Sequence, residues 1–264
     1  RALARGLAPT KKVYCLDCDN TLWGGAVGEL GAEGVQLSAA FLDVQRRFVA
    51  RQRRGALLCL VSRNVEADVR SVLSSRRSEL VLREEHVVAI RAAPDMVKSE
   101  AVLELAATLC LDPSAFVFVD DSAAECADVA ARAAPSGVAV VHVPREPEAI
   151  GAYLDQCWAL DGDDADPLPR GGNGGDPAAD ATAEDLKRTT LYRELEARKN
   201  FVQQQQMQQQ QMQQQQQGTA ASATAASAAA TSTDAFAASF NLRVDIRPLD
   251  AATAGRAAQL QSAP

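Results

Sequence analysis

Val13-Tyr14-Cys15-Leu16-Asp17-Cys18-Asp19-Asn20-Thr21-Leu22-Trp23-Gly24-Gly25 joins an apolar run to an acidic, glycine-ended turn. Val13 to Leu16 is a short apolar strand that runs directly into two acidic side chains separated by one residue. Open α/β sheets place their ligands outside the carboxyl ends of the strands. Two carboxylates at such a place repel each other unless a cation or a shared proton relieves the charge. A hard divalent ion is the natural relief.

On the carboxyl side of this stretch the sequence alternates apolar runs with amphipathic helical patterns as far as Trp158, which predicts a parallel sheet covered on both faces. The expected strands are Val13–Leu16, Ala56–Val61, Phe116–Val119 and Val138–Val143, with Val87–Ile90 as a fifth. Phe41, Val44 and Phe48 mark one amphipathic helix, and Met96 to Leu109 another. Ser122 and Glu125 have the spacing of a capping box, which predicts a helix start just after the Phe116 strand. A further helix is expected from Thr182, with Asp185 three residues on.

Composition bounds the rest. A chain of 264 residues suits one large or two modest domains. A formal charge of -7, with Lys and Arg scattered rather than gathered in a stripe, excludes a nucleic-acid partner. No apolar stretch is long enough to span a membrane, and the first residues lack the apolar core of a signal peptide. The chain therefore reads as soluble and intracellular; because it begins with Arg1 and stops soon after Gln259-Leu260, it also reads as a piece of a longer polypeptide from which organelle targeting could be missing. Of the six cysteines, four lie in apolar runs and are expected as buried thiols. Cys15 and Cys18 have the spacing of a zinc or redox pair, but no second pair follows and only His86 and His142 offer imidazole.

The expected organisation is an α/β domain over 11–160, a Gly/Asp/Pro-rich flexible linker over 161–181, and a helical segment over 182–202. A Gln/Ala-rich low-complexity linker, disordered or a frayed helix, follows over 203–235, and the start of a truncated second domain over 236–264. Phe240, Leu242, Val244 and Ile246 alternate with polar residues as a half-buried strand does.

Asp17-x-Asp19-x-Thr21 resembles the first motif of the haloacid dehalogenase (HAD) superfamily. The resemblance implies a three-layer, Rossmann-like α/β fold and an Mg²⁺-dependent reaction. It implies that Asp17 attacks phosphorus to give an aspartyl-phosphate, and that Asp19 protonates the leaving group and then activates the second nucleophile. Three further matches follow in order. Ser62, at the end of Leu57 to Val61, matches the hydroxyl that donates to a phosphoryl oxygen, although by itself it would serve equally as a helix N-cap. Lys98 matches the cation that balances Asp17 and the phosphoryl charge, although a lone helical lysine is ordinarily solvated surface. Phe116-Val117-Phe118-Val119-Asp120-Asp121 again delivers carboxylates at a strand end, and the resemblance implies Mg²⁺ held by Asp17, the backbone carbonyl of Asp19 and one or both of Asp120 and Asp121. Asn20, Thr21, Arg63 and Asn64 are the side chains expected against the substrate.

The similarity extends to a narrower family. Asp19 to Gly25, Gly28-Glu29 with Gly31, Val81-Leu82-Arg83-Glu84-Glu85-His86, Thr182-x-Glu184-Asp185-x-x-Arg188-x-x-x-Tyr192 and Arg256-Ala257-Ala258-Gln259-Leu260 resemble the FkbH-like family. That resemblance implies a phosphorylated three-carbon acid as substrate and an acyl carrier protein as partner in polyketide assembly, with an acetyltransferase-like domain beginning at the end of the chain. Arg63, Ala92-Ala93 and Ser122 depart from the family's common Lys, Asn-Trp and Asn. The gaps from Thr21 to Ser62 and from Ser62 to Lys98 are too short for a large cap, so only a minimal one is expected. Cys18 could accept an acyl group, but strand alternation points it away from Asp17 and Asp19. A general small-molecule or protein phosphatase and a non-catalytic binding scaffold are the competing readings.

Overall fold

The computed structural model describes residues 11–160 and 183–217. Five parallel strands, β1 (Val13–Leu16), β2 (Leu57–Ser62), β3 (Val87–Ala92), β4 (Phe116–Asp120) and β5 (Ala139–His142), form one sheet in the order β3-β2-β1-β4-β5. The expected strands are all present, their ends moved by a residue or two. The helices are α1 (Val27–Gly34), α2 (Ala39–Arg53), α3 (Glu66–Ser75), α4 (Lys98–Leu109), α5 (Ala123–Arg132), α6 (Pro147–Gln156) and α7 (Ala183–Gln217).

The period of two along β1 explains the three layers. Tyr14 and Leu16 join the core made with Phe41, Val44 and Phe48 of α2, Val69 and Val72 of α3, and Ile150 of α6. Val13 and Cys15 join the opposite core, with Val102 and Leu105 of α4 and Val129 of α5. Each face of the sheet is thus closed by helices, which explains why the strands read as unbroken apolar runs.

Between β1 and β2 stand only α1 and α2, and between β2 and α4 only α3 and β3 apart from single turns. No extra domain interrupts either gap among the described residues. The buried amide of Gln45 ties these parts together: its Nε2 donates to the Leu22 carbonyl at 2.8 Å, and its Oε1 accepts the amides of Val81 and Leu82 at 3.0 Å.

α7 runs past the helix boundary expected at residue 202, through the glutamine tract to Gln217. Two compact units divide the chain, the first ending at Met207. Within that first unit Gln52 donates to the Thr189 hydroxyl at 2.8 Å, Arg188 to the Gly55 carbonyl at 3.0 Å and Arg91 to Glu196 at 2.9 Å. The expected 161–181 linker, the 218–235 part of the low-complexity linker, the strand over Phe240 to Ile246 and the second domain over 236–264 lie outside the described residues. Among the described residues no helix is long and apolar enough to cross a membrane.

Candidate active site

The sheet register builds the site. Leu16 pairs with Val119 across β1 and β4, so the next residues, Asp17 and Asp120, emerge side by side where the strands end. They share a face with Cys15 and Phe118, the face covered by α4. Lys98, the first residue of α4, reaches between them: its Nζ lies 2.6 Å from Asp17 Oδ1 and 2.7 Å from Asp120 Oδ2. All three side chains are buried, Asp120 completely. A cation at a helix N-terminus opposes the helix dipole. Here two carboxylates, and the ring of Phe118 at 5.9 Å, hold it in place.

Asp121, half-exposed, completes an acidic group. Asp17, Asp120 and Asp121 each offer a carboxylate oxygen within 4.8 Å of the others. One ammonium cannot balance three ionised carboxylates in a buried place. Burial accordingly raises Asp17 to about 8, with Asp120 adding to the rise and Lys98 opposing it. Burial, then Asp120, also raises Asp121. Burial pulls Lys98 down, but Asp17 and Asp120 outweigh it and its net shift is upward, so the ammonium keeps its proton. An oxygen-only, anionic donor set of this kind fits a hard divalent cation, whose charge would replace the proton.

The carboxylate of Asp19, whose backbone carbonyl is the atom expected on the metal, lies apart from this group: Oδ1 accepts the Trp23 indole N–H at 2.9 Å and the Val27 amide at 3.3 Å, and Oδ2 accepts Asn64 Nδ2 at 2.9 Å. Ser62, 1% exposed at the end of β2, accepts from the backbone N–H and Nδ2 of Asn64 at 3.3 and 3.0 Å.

The four side chains expected against the substrate divide. Asn64 is spent on Asp19 and Ser62. Asn20 sits at φ 57°, and its Oδ1 accepts the Gly25 amide at 2.9 Å, so it builds the turn after the motif. Arg63 is exposed and donates to the Pro94 carbonyl at 3.2 and 3.3 Å, with Glu125 at 3.4 Å. Thr21 is fully buried and its hydroxyl has no hydrogen-bond partner.

Cys18 falls on the opposite face from Cys15, within the core that holds Leu16 and Leu22. It is completely buried, and burial, with Asp17 and Asp19, pushes its thiol well up. As an acyl acceptor it would need both exposure and a thiolate, and it has neither here. The C-x-x-C spacing therefore joins no common ligand set. Cys59 and Cys126 are buried as expected, whereas Cys110 is exposed.

Sequence reasoning gave no individual role to Trp23 or to the acceptor half of the α5 cap. Ser122 Oγ accepts the Glu125 amide at 3.4 Å, but the Ser122 amide is taken by Asp120 Oδ1 at 2.7 Å rather than by Glu125. The residues that carried the narrower family resemblance serve the fold. Val81 and Leu82 satisfy Gln45, His86 Nδ1 accepts the Arg83 amide at 3.0 Å, Arg188 holds Gly55, and Tyr192 packs on the core under α4.

No family model matches the chain, and no curated protein matches it. Among solved structures, it is similar to the N-terminal part of a protein from Bacteroides fragilis that contains a phosphatase domain and was solved in complex with Mg. Identity is 29% and the TM-score 0.54, over 60% of this chain and 42% of that one. The chain therefore spans less than half of that protein's solved length. A HAD family enzyme from Bacteroides thetaiotaomicron, in complex with magnesium and inorganic phosphate, is 12% identical with a TM-score of 0.38, over 52% of this chain and 96% of that one. A likeness that slight supports nothing by itself. The parallel sheet with helices on both faces is a three-layer, Rossmann-like α/β fold, as expected.

Proposed function

We propose that the chain is a magnesium-dependent phosphatase of the HAD type, working through an aspartyl-phosphate on Asp17. One observation carries this reading: Asp17, Lys98, Asp120 and Asp121, from three separate parts of the sequence, meet at the carboxyl ends of β1 and β4. The similarity to a phosphatase domain solved with Mg supports the choice of metal.

Asp17, Asp120 and Asp121 would hold the cation. When bound, magnesium supplies charge that offsets both the carboxylates and the phosphoryl oxygens. The Asp17 carboxylate attacks phosphorus, the bond from phosphorus to the leaving oxygen breaks, and Asp19 gives that oxygen its proton. Asp19 then takes a proton from water, whose oxygen attacks the aspartyl-phosphate and releases inorganic phosphate and free Asp17. Lys98 and the Ser62 hydroxyl stabilise charge on the transferring group. With Mg²⁺, the chain should release phosphate from small phosphate esters, and Asp17→Asn should abolish it. Turnover that survives this substitution would reject the mechanism.

The narrower reading takes a phosphorylated three-carbon acid as substrate and passes a glyceryl unit to the thiol of an acyl carrier protein. Two features favour it: the runs that resemble the FkbH-like family, and a site that, among the described residues, no inserted domain covers and a carrier protein could close against water. Mass spectrometry of a carrier protein incubated with the enzyme and 1,3-bisphosphoglycerate decides it. A glyceryl adduct supports loading, and phosphate release without an adduct leaves a general phosphatase.

A further inference from the structure

We infer that Trp23 is a positioning residue that assigns separate tasks to the two oxygens of Asp19, a role that rests on the acid-base function proposed above. Trp23 is 1% exposed and lies four residues beyond Asp19, across a turn closed by the Asn20 amide on the Trp23 carbonyl at 2.6 Å. Its indole Nε1 is 2.9 Å from Asp19 Oδ1, which also accepts the Val27 amide at 3.3 Å. An indole N–H only donates, and so does a backbone amide. Oδ1 is therefore held as an acceptor by two donors that cannot reverse. The proton that Asp19 delivers and recovers is confined to Oδ2.

Oδ2 is the oxygen on the Ser62 side of the carboxylate, since Asn64 Nδ2 lies 2.9 Å from it and 3.0 Å from Ser62 Oγ. The same amide thus spaces the proton-carrying oxygen from the Ser62 hydroxyl that stabilises the transferring phosphoryl group. Without the indole N–H, the carboxylate can rotate and present either oxygen. The consequence depends on the ester. Alkoxide leaving groups must be protonated as they depart, whereas a dinitrophenolate leaves without help. Trp23 therefore matters for alkyl phosphates and hardly at all for activated aryl phosphates.

The test compares ethyl phosphate with 2,4-dinitrophenyl phosphate, using the full chain with Mg²⁺. Trp23→Phe should lower kcat/KM, which reports departure of the leaving group and not the later hydrolysis common to both esters, by about 10²-fold for the alkyl ester, the scale of general acid catalysis, and leave the aryl ester within about threefold. Asp19→Asn should show the same split more strongly. Equal losses on both esters, or no loss on the alkyl ester, would overturn the role. If Trp23→Phe fails to fold, the benzothiophene analogue of tryptophan at position 23 removes only the N–H and must give the same split. Independently of turnover, the Trp23 indole proton resonance must move in Asp19→Ala, and an unmoved resonance overturns the hydrogen bond. Failure of the underlying reading looks different: the unaltered chain turns over neither ester, or turnover survives Asp17→Asn, and the positioning role then falls with it.

Discussion

Lowering the pH should loosen the divalent cation, because a proton competes with it for Asp17. Burial raises that carboxyl to about 8, so below this pH the metal must displace a proton before it binds. For one competing proton, the apparent Kd rises roughly tenfold per pH unit well below the pKa, or on the order of fifty-fold from pH 8 to pH 6. Between pH 8 and pH 9 it should change only about twofold, since the competing proton is nearly gone. Asp121, also raised by burial and by Asp120, steepens the acid side. Lys98 stays charged throughout, because its own shift is upward. Isothermal titration with Mg²⁺ in two buffers of different ionisation enthalpy reads the affinity and the proton count together. About one proton should be released per ion near pH 6.5. An affinity that is flat from pH 6 to pH 8, or binding without proton release, would refute the reasoning.

Without metal, the folded chain holds a proton on Asp17 that the unfolded chain, with an ordinary value of 3.8, has lost. Its contribution to stability is therefore greatest below about pH 4 and is lost as pH rises to about 8, a swing on the order of 5 kcal/mol. Urea midpoints at pH 5 and pH 8 should follow that sign, and added Mg²⁺ should narrow the gap. A metal-free chain more stable at pH 8 would contradict it. Lys98→Met removes the ammonium between two buried carboxylates and should cost about 3–5 kcal/mol at pH 8, less at pH 5, together with all turnover; urea unfolding and phosphate release check the two losses. Gln45→Ala strands the Leu22 carbonyl and the Val81 and Leu82 amides, so urea unfolding should show a loss of about 3 kcal/mol. A loss under about 1 kcal/mol would mean that water replaces the amide.

The strands were legible because burial on both faces leaves nothing but apolar side chains between turn residues, as in Leu57 to Val61. The meeting of Asp17 with Asp120 was legible for the same reason, since each ends such a strand and neighbouring strands end together. Lys98 was harder. Only its order along the chain distinguished it from a surface lysine, and its burial is a property of where α4 lands. The direction of the Asp19 carboxylate was not legible, because spacing alone cannot say whether a carboxylate turns toward its neighbour or back onto its own loop; the Trp23 indole and the Val27 amide decide that. The contacts of Asn20 and Asn64 were not legible for a related reason, since an amide suited to a substrate is equally suited to a turn or to a neighbouring carboxylate. The continuation of α7 through the glutamine tract carries no apolar periodicity to announce it.

The most direct test of the central claim is to trap the intermediate. A chain turning over a phosphate ester in Mg²⁺ is quenched, reduced with borohydride and digested, and the peptide spanning Val13 to Thr21 is sequenced by mass spectrometry. Reduction of an aspartyl-phosphate converts that residue to homoserine, so the account predicts homoserine at position 17 and its loss when Mg²⁺ is withheld. Homoserine at another aspartate, or turnover with an unmodified Asp17, would contradict it.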